Sequence, residues 1–248
     1  GLFSAGRMGA MVGGNGPYAR FGHILSPFSC GWGNVGGHLQ VMALGYEYVD
    51  NALAWASPKF AGFDATLQYS NGTDAKNFGT GVEGKSSVER MYAGALRYTH
   101  NDLMVIGGIE RINYAQPSAN DLGRKDAISY NLGGSYQAGW AKFYAYGQYF
   151  QNYTAAARTT TFALPSGVDG WGANVGVDVP VSHGFIKAGL GYGDFKGSKD
   201  SDRTMKTWQA AVGYLLPLSK RTSLYTAANY INSRYSDAQE AANPKAGK

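Results

Sequence analysis

Residues 126–152 alternate between two kinds of side chain. Ile128, Tyr130, Leu132, Gly134 and Tyr136 fall on one side of an extended backbone, and Ser129, Asn131, Gly133, Ser135 and Gln137 on the other. Successive side chains of a strand point to opposite faces, so this period of two predicts a strand with one apolar and one polar face. After a turn at Ala138 and Gly139 the pattern resumes, with Ala141, Phe143, Ala145, Gly147 and Tyr149 opposite Lys142, Tyr144, Tyr146 and Gln148. Phe63, Ala65, Leu67 and Tyr69 likewise oppose Asp64, Thr66, Gln68 and Ser70, and Trp171, Ala173, Val175, Val177 and Val179 oppose Gly172, Asn174, Gly176 and Asp178. Two further copies set Ile186, Ala188, Leu190 and Tyr192 against Lys187, Gly189, Gly191 and Gly193, and Trp208, Ala210, Val212 and Tyr214 against Thr207, Gln209 and Gly213. The register of residues 103–114 and 223–233 is less sharply marked. The reading gives about eleven strands, mostly of the roughly 9 to 11 residues that a tilted strand needs to cross a bilayer.

The connections alternate in length. Short turns are expected at "SPKFAG", "THND", "QAG", "VSHG" and "PLSKRT", and longer polar links at residues 72–89, 115–125, 154–170 and 196–203. Short turns on one rim and long links on the other are the layout of an antiparallel transmembrane β-barrel. A soluble sandwich would not place small polar residues and glycine so regularly on its core face. Aromatic residues gather toward strand ends, as at Trp55, Phe63, Tyr136, Trp140, Trp171, Phe185 and Tyr214, where amphipathic rings suit the headgroup level of a membrane.

Composition agrees. Only 16% of the 248 residues are charged, against 36 glycines and 18 tyrosines, and the mean hydropathy is -0.28. No apolar run approaches the roughly 20 residues of a spanning helix, while a barrel's alternating faces cancel in any sliding average. The net charge of +5 comes from scattered Lys and Arg without the stripe that nucleic acid requires, so no nucleic-acid partner is expected. The single cysteine, Cys30, cannot form an internal disulfide. "GLFSAGRMGAM" has neither the basic start nor the cleavage site of a signal peptide.

The strings "FSAGRMGAM", "DNALAWASPKFAGFDATLQYS" and "VGYLLPLSKRTSLYTAANYIN" resemble, in this order, the general porins of Gram-negative outer membranes, closest to the β-proteobacterial type. The resemblance covers most of the chain. It implies an all-β fold, a trimeric 16-stranded barrel in contact with outer-membrane lipid and lipopolysaccharide, and a third external loop folded into the pore. It also implies missing pieces, since such porins begin with several more strands and end on a strand with a C-terminal aromatic, whereas this chain stops at "EAANPKAGK", read as a loop. Residues 1–248 are therefore expected to be a single incomplete barrel domain, starting near the fifth strand and ending before the sixteenth. Alone it should not make a working pore, because unpaired strand edges are not tolerated in hydrocarbon. A barrel of about 16 strands is too wide for side chains to fill, so the polar faces should line water.

Residues 12–45 form the longest stretch without clean alternation, and loops of this length are usually either functional or disordered. By resemblance this is the constriction loop, and Arg7, on the strand before it, matches an arginine facing the eyelet. Carboxylates usual in that loop are absent here; its charged residue is Arg20, with His23 and His38 titratable. Candidate wall charges are the basic Arg97, Lys142 and Lys187 and the acidic Asp64, Glu110 and Asp178, while Ala54 and Ala56 stand where porins often carry a basic residue. Rings of charge at a narrowing select ions by sign, so a weakly anion-preferring, passive channel for ions and small hydrophilic solutes is expected, without enzymatic activity or cofactor. Two other readings remain: a barrel lipid hydrolase, for which none of the serines or histidines is singled out, and a surface β-rich adhesin. The four histidines lack metal spacing and are expected in solvent, and the glycines of "GLGYGDFKG" alternate on a strand instead of cradling phosphate.

Overall fold

A computed structural model of the chain describes residues 1–29, 32, 35–72, 89–114 and 125–242. Eleven strands form one antiparallel sheet in sequence order: β1 (Leu2–Gly9), β2 (Tyr48–Ala56), β3 (Phe63–Asn71), β4 (Arg90–His100), β5 (Leu103–Asn113), β6 (Ala127–Gln137), β7 (Lys142–Ala156), β8 (Phe162–Val181), β9 (Gly184–Gly197), β10 (Thr204–Pro217) and β11 (Ser223–Tyr235). A helix, α1 (Asp237–Ala242), follows, where the sequence suggested only a loop. The expected short turns join the strands at one rim. At the other rim the links 72–89 and 115–125 lie almost wholly outside the described residues, as does Cys30. The long link expected at residues 154–170 is mostly strand: β7 runs to Ala156 and β8 starts at Phe162, with register shifts between Phe150 and Ala155. Those shifts break the period of two and hide the strands from pattern reading.

The outer face carries the apolar set. Trp55, Leu67, Leu96, Ile109, Leu132, Val175, Leu190 and Val212 are all exposed there. Aromatic rings border this band on both sides. Phe63 and Tyr69, Tyr92 and Tyr98, Tyr130 and Tyr136, Phe143 and Tyr149, and Trp208 and Tyr214 are each six residues apart, roughly 20 Å along a strand at about 3.3 Å per residue. Cross-strand neighbours touch within each row: Tyr69 and Tyr92 at 5.2 Å, Trp171 and Tyr192 at 5.5 Å and Trp208 and Tyr230 at 5.3 Å on the long-link side, Phe63 and Tyr98 at 4.6 Å on the short-turn side. Two girdles flanking an apolar belt are the outer surface of a membrane barrel.

The inner face differs from expectation. The polar flanks do not open on water at mid-height: Ser129, Gln68 and Asn174 are 0%, 3% and 3% exposed. The cover is the segment 10–45, which lies against the inner face from β3 to β10. Phe21, Leu25 and Phe28 of the segment sit over Gly108 on β5, Gly133 on β6, and Gly189 and Gly213 on β9 and β10. One segment can touch so many strands only if the sheet curves around it. The glycines make the approach possible: a Cβ at Gly133 would lie 2.5 Å from Leu25 and one at Gly191 2.9 Å from Val41. Toward the long-link rim the inner face becomes apolar, and Met91, Ile112, Phe150, Phe195 and Met205 bury Met11, Val12, Val41 and Met42 from the two ends of the segment in one cluster. Toward the short-turn rim it stays polar and charged.

Candidate functional site

The segment is inserted as irregular backbone, and buried backbone N–H and C=O groups need partners. Side chains on the inner wall supply them. Gln68 accepts from Met11 N at 2.8 Å and donates to Gly9 O at 2.9 Å. Gln148 accepts from Ala43 N at 2.9 Å, and Gln209 donates to Gly37 O at 2.5 Å. In return Gln40, within the 3-10 turn His38–Gln40, accepts from both N and Oγ1 of Thr159. Leu44 N donates to Ala155 O, and the N–H groups of Ala157 and Arg158 donate to Met42 O and Leu39 O. Arg158 also pairs with Glu47. None of these glutamines was among the candidate site residues read from sequence; the available signal was a long amide at mid-height on the polar faces of β3, β7 and β10.

Beyond the docked part lies the charged region near the short turns. Arg20, on the segment, donates from Nε to Thr66 Oγ1 at 2.8 Å and from Nη1 to Pro17 O at 2.7 Å. Facing it, Arg97 on β4 donates to Asp64 on β3 at 2.9 Å. Partial burial, and then the nearby charge of Arg97, lower the pKa of Arg20, while Asp64 acts in the opposite sense. A second cluster spans β7 to β9. Lys187 Nζ donates to Asp178 Oδ1 at 2.8 Å, Tyr144 OH donates to Asp178 Oδ2 at 2.9 Å, and Lys142 Nζ stands 4.9 Å from the Tyr144 ring centre. Trp32 of the segment packs 5.8 Å from Lys187 Nζ. Each cluster thus sets two cations against one carboxylate. His23 is exposed on the segment, its Nδ1 2.8 Å from Ser29 Oγ.

Three sequence expectations are corrected. Arg7 stands on the face opposite Met8 and the segment, where it pairs with Asp50 at 2.6 Å and covers the Tyr48 ring at 5.6 Å. Two β2 residues, Asp50 and Asn51, lie opposite this one β1 residue, and Arg7 belongs to the outer side there. Glu110 is fully buried and meets the Tyr153 hydroxyl at 2.9 Å, so it is not a wall charge in contact with water. His38 is also buried instead of solvated: its ring lies 5.4 Å from that of Tyr146, and both nitrogens lack hydrogen-bond partners among the described residues. Burial, and then the charge of Arg158, push its pKa down to about 3. His100 stacks on Tyr98 and His183 sits beside Ser182 in a turn. Ala54 is buried on the inner face.

Comparison with known proteins agrees with this architecture. The sequence model of the Gram-negative porin family matches residues 1–236. An outer membrane porin protein of Bordetella pertussis is 28% identical over 244 residues, which cover 86% of this chain and 60% of the relative. Among solved structures, an anion-selective porin from Comamonas acidovorans superposes with a TM-score of 0.63 at 20% identity, covering 95% of this chain and 64% of that one. OmpT, an outer membrane protein of Vibrio cholerae, gives a TM-score of 0.65 at 12% identity over 93% of this chain and 66% of its own. The chain therefore spans about 60% of the length of the curated relative it matches, and the structural likenesses, at these identities, establish the fold.

Proposed function

Because the chain belongs to the Gram-negative porin family, we propose that it supplies a large part of the wall and the inserted loop of an outer-membrane general-diffusion channel. Such a channel passes ions and small hydrophilic solutes down their gradients, without enzymatic turnover, and works as a homotrimer in contact with outer-membrane lipid and lipopolysaccharide. Solute size is limited by segment 12–45, which is hydrogen-bonded to the wall and so acts as a fixed obstruction. Charge preference comes from the short-turn half of the lumen, where Arg20, Arg97, Lys142, Lys187, Asp64 and Asp178 stand and His23 is a further titratable group.

The observation that carries the reading is the pairing of Arg20 and Arg97 around the single carboxylate Asp64, with no acidic residue in the facing loop between Val12 and Gly45. Fixed positive charge at a narrowing lowers the cost of an anion and raises that of a cation. The channel is accordingly weakly anion-preferring, the property named for the Comamonas porin whose fold it shares. The test is a planar-bilayer recording of the whole protein in a potassium chloride gradient. Stepwise conductance that grows with bulk salt and a reversal potential on the chloride side are expected. Cation preference would refute the charge assignment, and a complete lack of conductance steps would refute the channel.

A further inference from the structure

The outer belt between the girdles is not smooth. Across β1 to β5 runs a groove of about 540 Å³ lined by Gly94, by Phe3, Trp55, Leu67 and Ile109, and toward the long links by Tyr92 and Arg111. The groove exists because β4 carries no side chain between two large neighbours; a Cβ at Gly94 would only touch Leu67, at 3.4 Å. Two other grooves on the sheet, around Ala145 and Ala173 and around Ala188 and Ala210, have no charged residue in their lining. Arg111 therefore sets the first apart. Its side chain is 56% exposed, and among the described residues it is held through Nη2 alone, to Asp126 at 3.0 Å, a carboxylate that also accepts from Asn113. A guanidinium has five N–H donors in a planar fork, and that fork matches a phosphate.

An apolar trough facing the belt and ending in an arginine at the aromatic row has the two halves of a lipid site. We propose that this groove holds one membrane lipid with an anionic phosphate headgroup, its acyl chain along Gly94 and its phosphate on Arg111. The proposal rests on the outer face being the membrane-facing one. Trp55 lies in the groove and reports occupancy. The protein would be placed in micelles doped with brominated phosphatidylglycerol or brominated phosphatidylcholine, and the Trp55 signal taken as the difference from Trp55→Phe. The anionic lipid is expected to quench at a severalfold lower mole fraction than the zwitterionic one. Arg111→Gln should erase that difference and Arg111→Lys retain most of it, while Gly94→Leu, which fills the trough, should weaken quenching by both. Equal quenching by the two lipids, or an unaltered difference in Arg111→Gln, overturns the site. Complete relief of phosphatidylglycerol quenching by inorganic phosphate also overturns it, by reducing the site to a phosphate contact. Absence of quenching by either lipid refutes instead the membrane-facing assignment.

Discussion

Gln68 and Met11 are joined across the lumen side of the sheet: the Gln68 side chain accepts from Met11 N at 2.8 Å and returns a bond to Gly9 O at 2.9 Å. One amide thus satisfies two buried backbone groups at the root of the inserted segment. Gln68→Leu keeps the volume and leaves both unpaired, a loss of about 1–3 kcal/mol for each buried group left without a partner. With two groups unpaired, denaturant unfolding of the folded protein in detergent should show a loss of about 2–6 kcal/mol. A variant as stable as the parent would mean that the segment is not held there.

The glycines of the wall divide by face, and substitution should read that division. At Gly133, on the inner face, a Cβ would sit 2.5 Å from Leu25, whereas at Gly147, on the outer face, the nearest atom would be 3.9 Å away. Gly133→Val should overpack the docked segment at a cost of about 1–3 kcal/mol, and Gly147→Ala should be near neutral. Thermal unfolding of both variants makes the comparison, and equal effects would remove the segment from the inner face.

Much of the wall was legible from period two. In β6 the split of Ile128, Tyr130 and Leu132 from Ser129, Asn131 and Gly133 is that of the folded sheet. The strand count follows from it, and the absence of alternation in residues 12–45 marks a long loop, whose inward placement came from the resemblance to porins and not from the pattern. The burial of the polar face was not legible. Gln68, Gln148 and Asn131 look the same in sequence whether they meet water, the backbone of another segment, or, as Asn131 does, neighbouring wall side chains, because each satisfies an amide. The apolar inner cluster was hidden differently: Phe150 and Phe195 sit where the strand pattern continues into what reads as a polar link, and an inward phenylalanine there resembles a girdle residue. Arg7 was misplaced because its role came from likeness to other porins, while the side it faces is fixed by local pairing with two β2 residues.

His38 couples the segment to pH. Its neutral ring is buried between Gly22 and Tyr146 with Arg158 as the nearby charge, and its pKa is about 3, against about 6.5 in an unfolded chain. Between those values the unfolded state binds more protons than the folded one, so stability is complete above about pH 6.5 and falls as the pH drops toward 3, with a limiting slope of about 1.4 kcal/mol per pH unit. The unfolding midpoint should decline from pH 7 to pH 4, and His38→Phe should flatten that decline. A parallel decline in the variant would assign the acid sensitivity to other groups.

Selectivity distinguishes Arg20 and Arg97, which share the lumen, from Arg7, which does not. Arg97 pairs with Asp64 near Arg20 on the inner face, whereas Arg7, its side chain 60% exposed, pairs with Asp50 on the outer side. Arg97→Glu exchanges a cation for an anion in a partly desolvated cluster, where charge acts more strongly than in bulk water. It should move the reversal potential of the reconstituted channel toward cations, and Arg20→Glu should do the same. Arg7→Glu removes one exposed ion pair of the kind worth about 0–1 kcal/mol and should leave the reversal potential unchanged. The three variants, recorded in one salt gradient, fix which face each arginine serves: a shift for Arg7→Glu together with none for Arg97→Glu would reverse the assignment of the two faces.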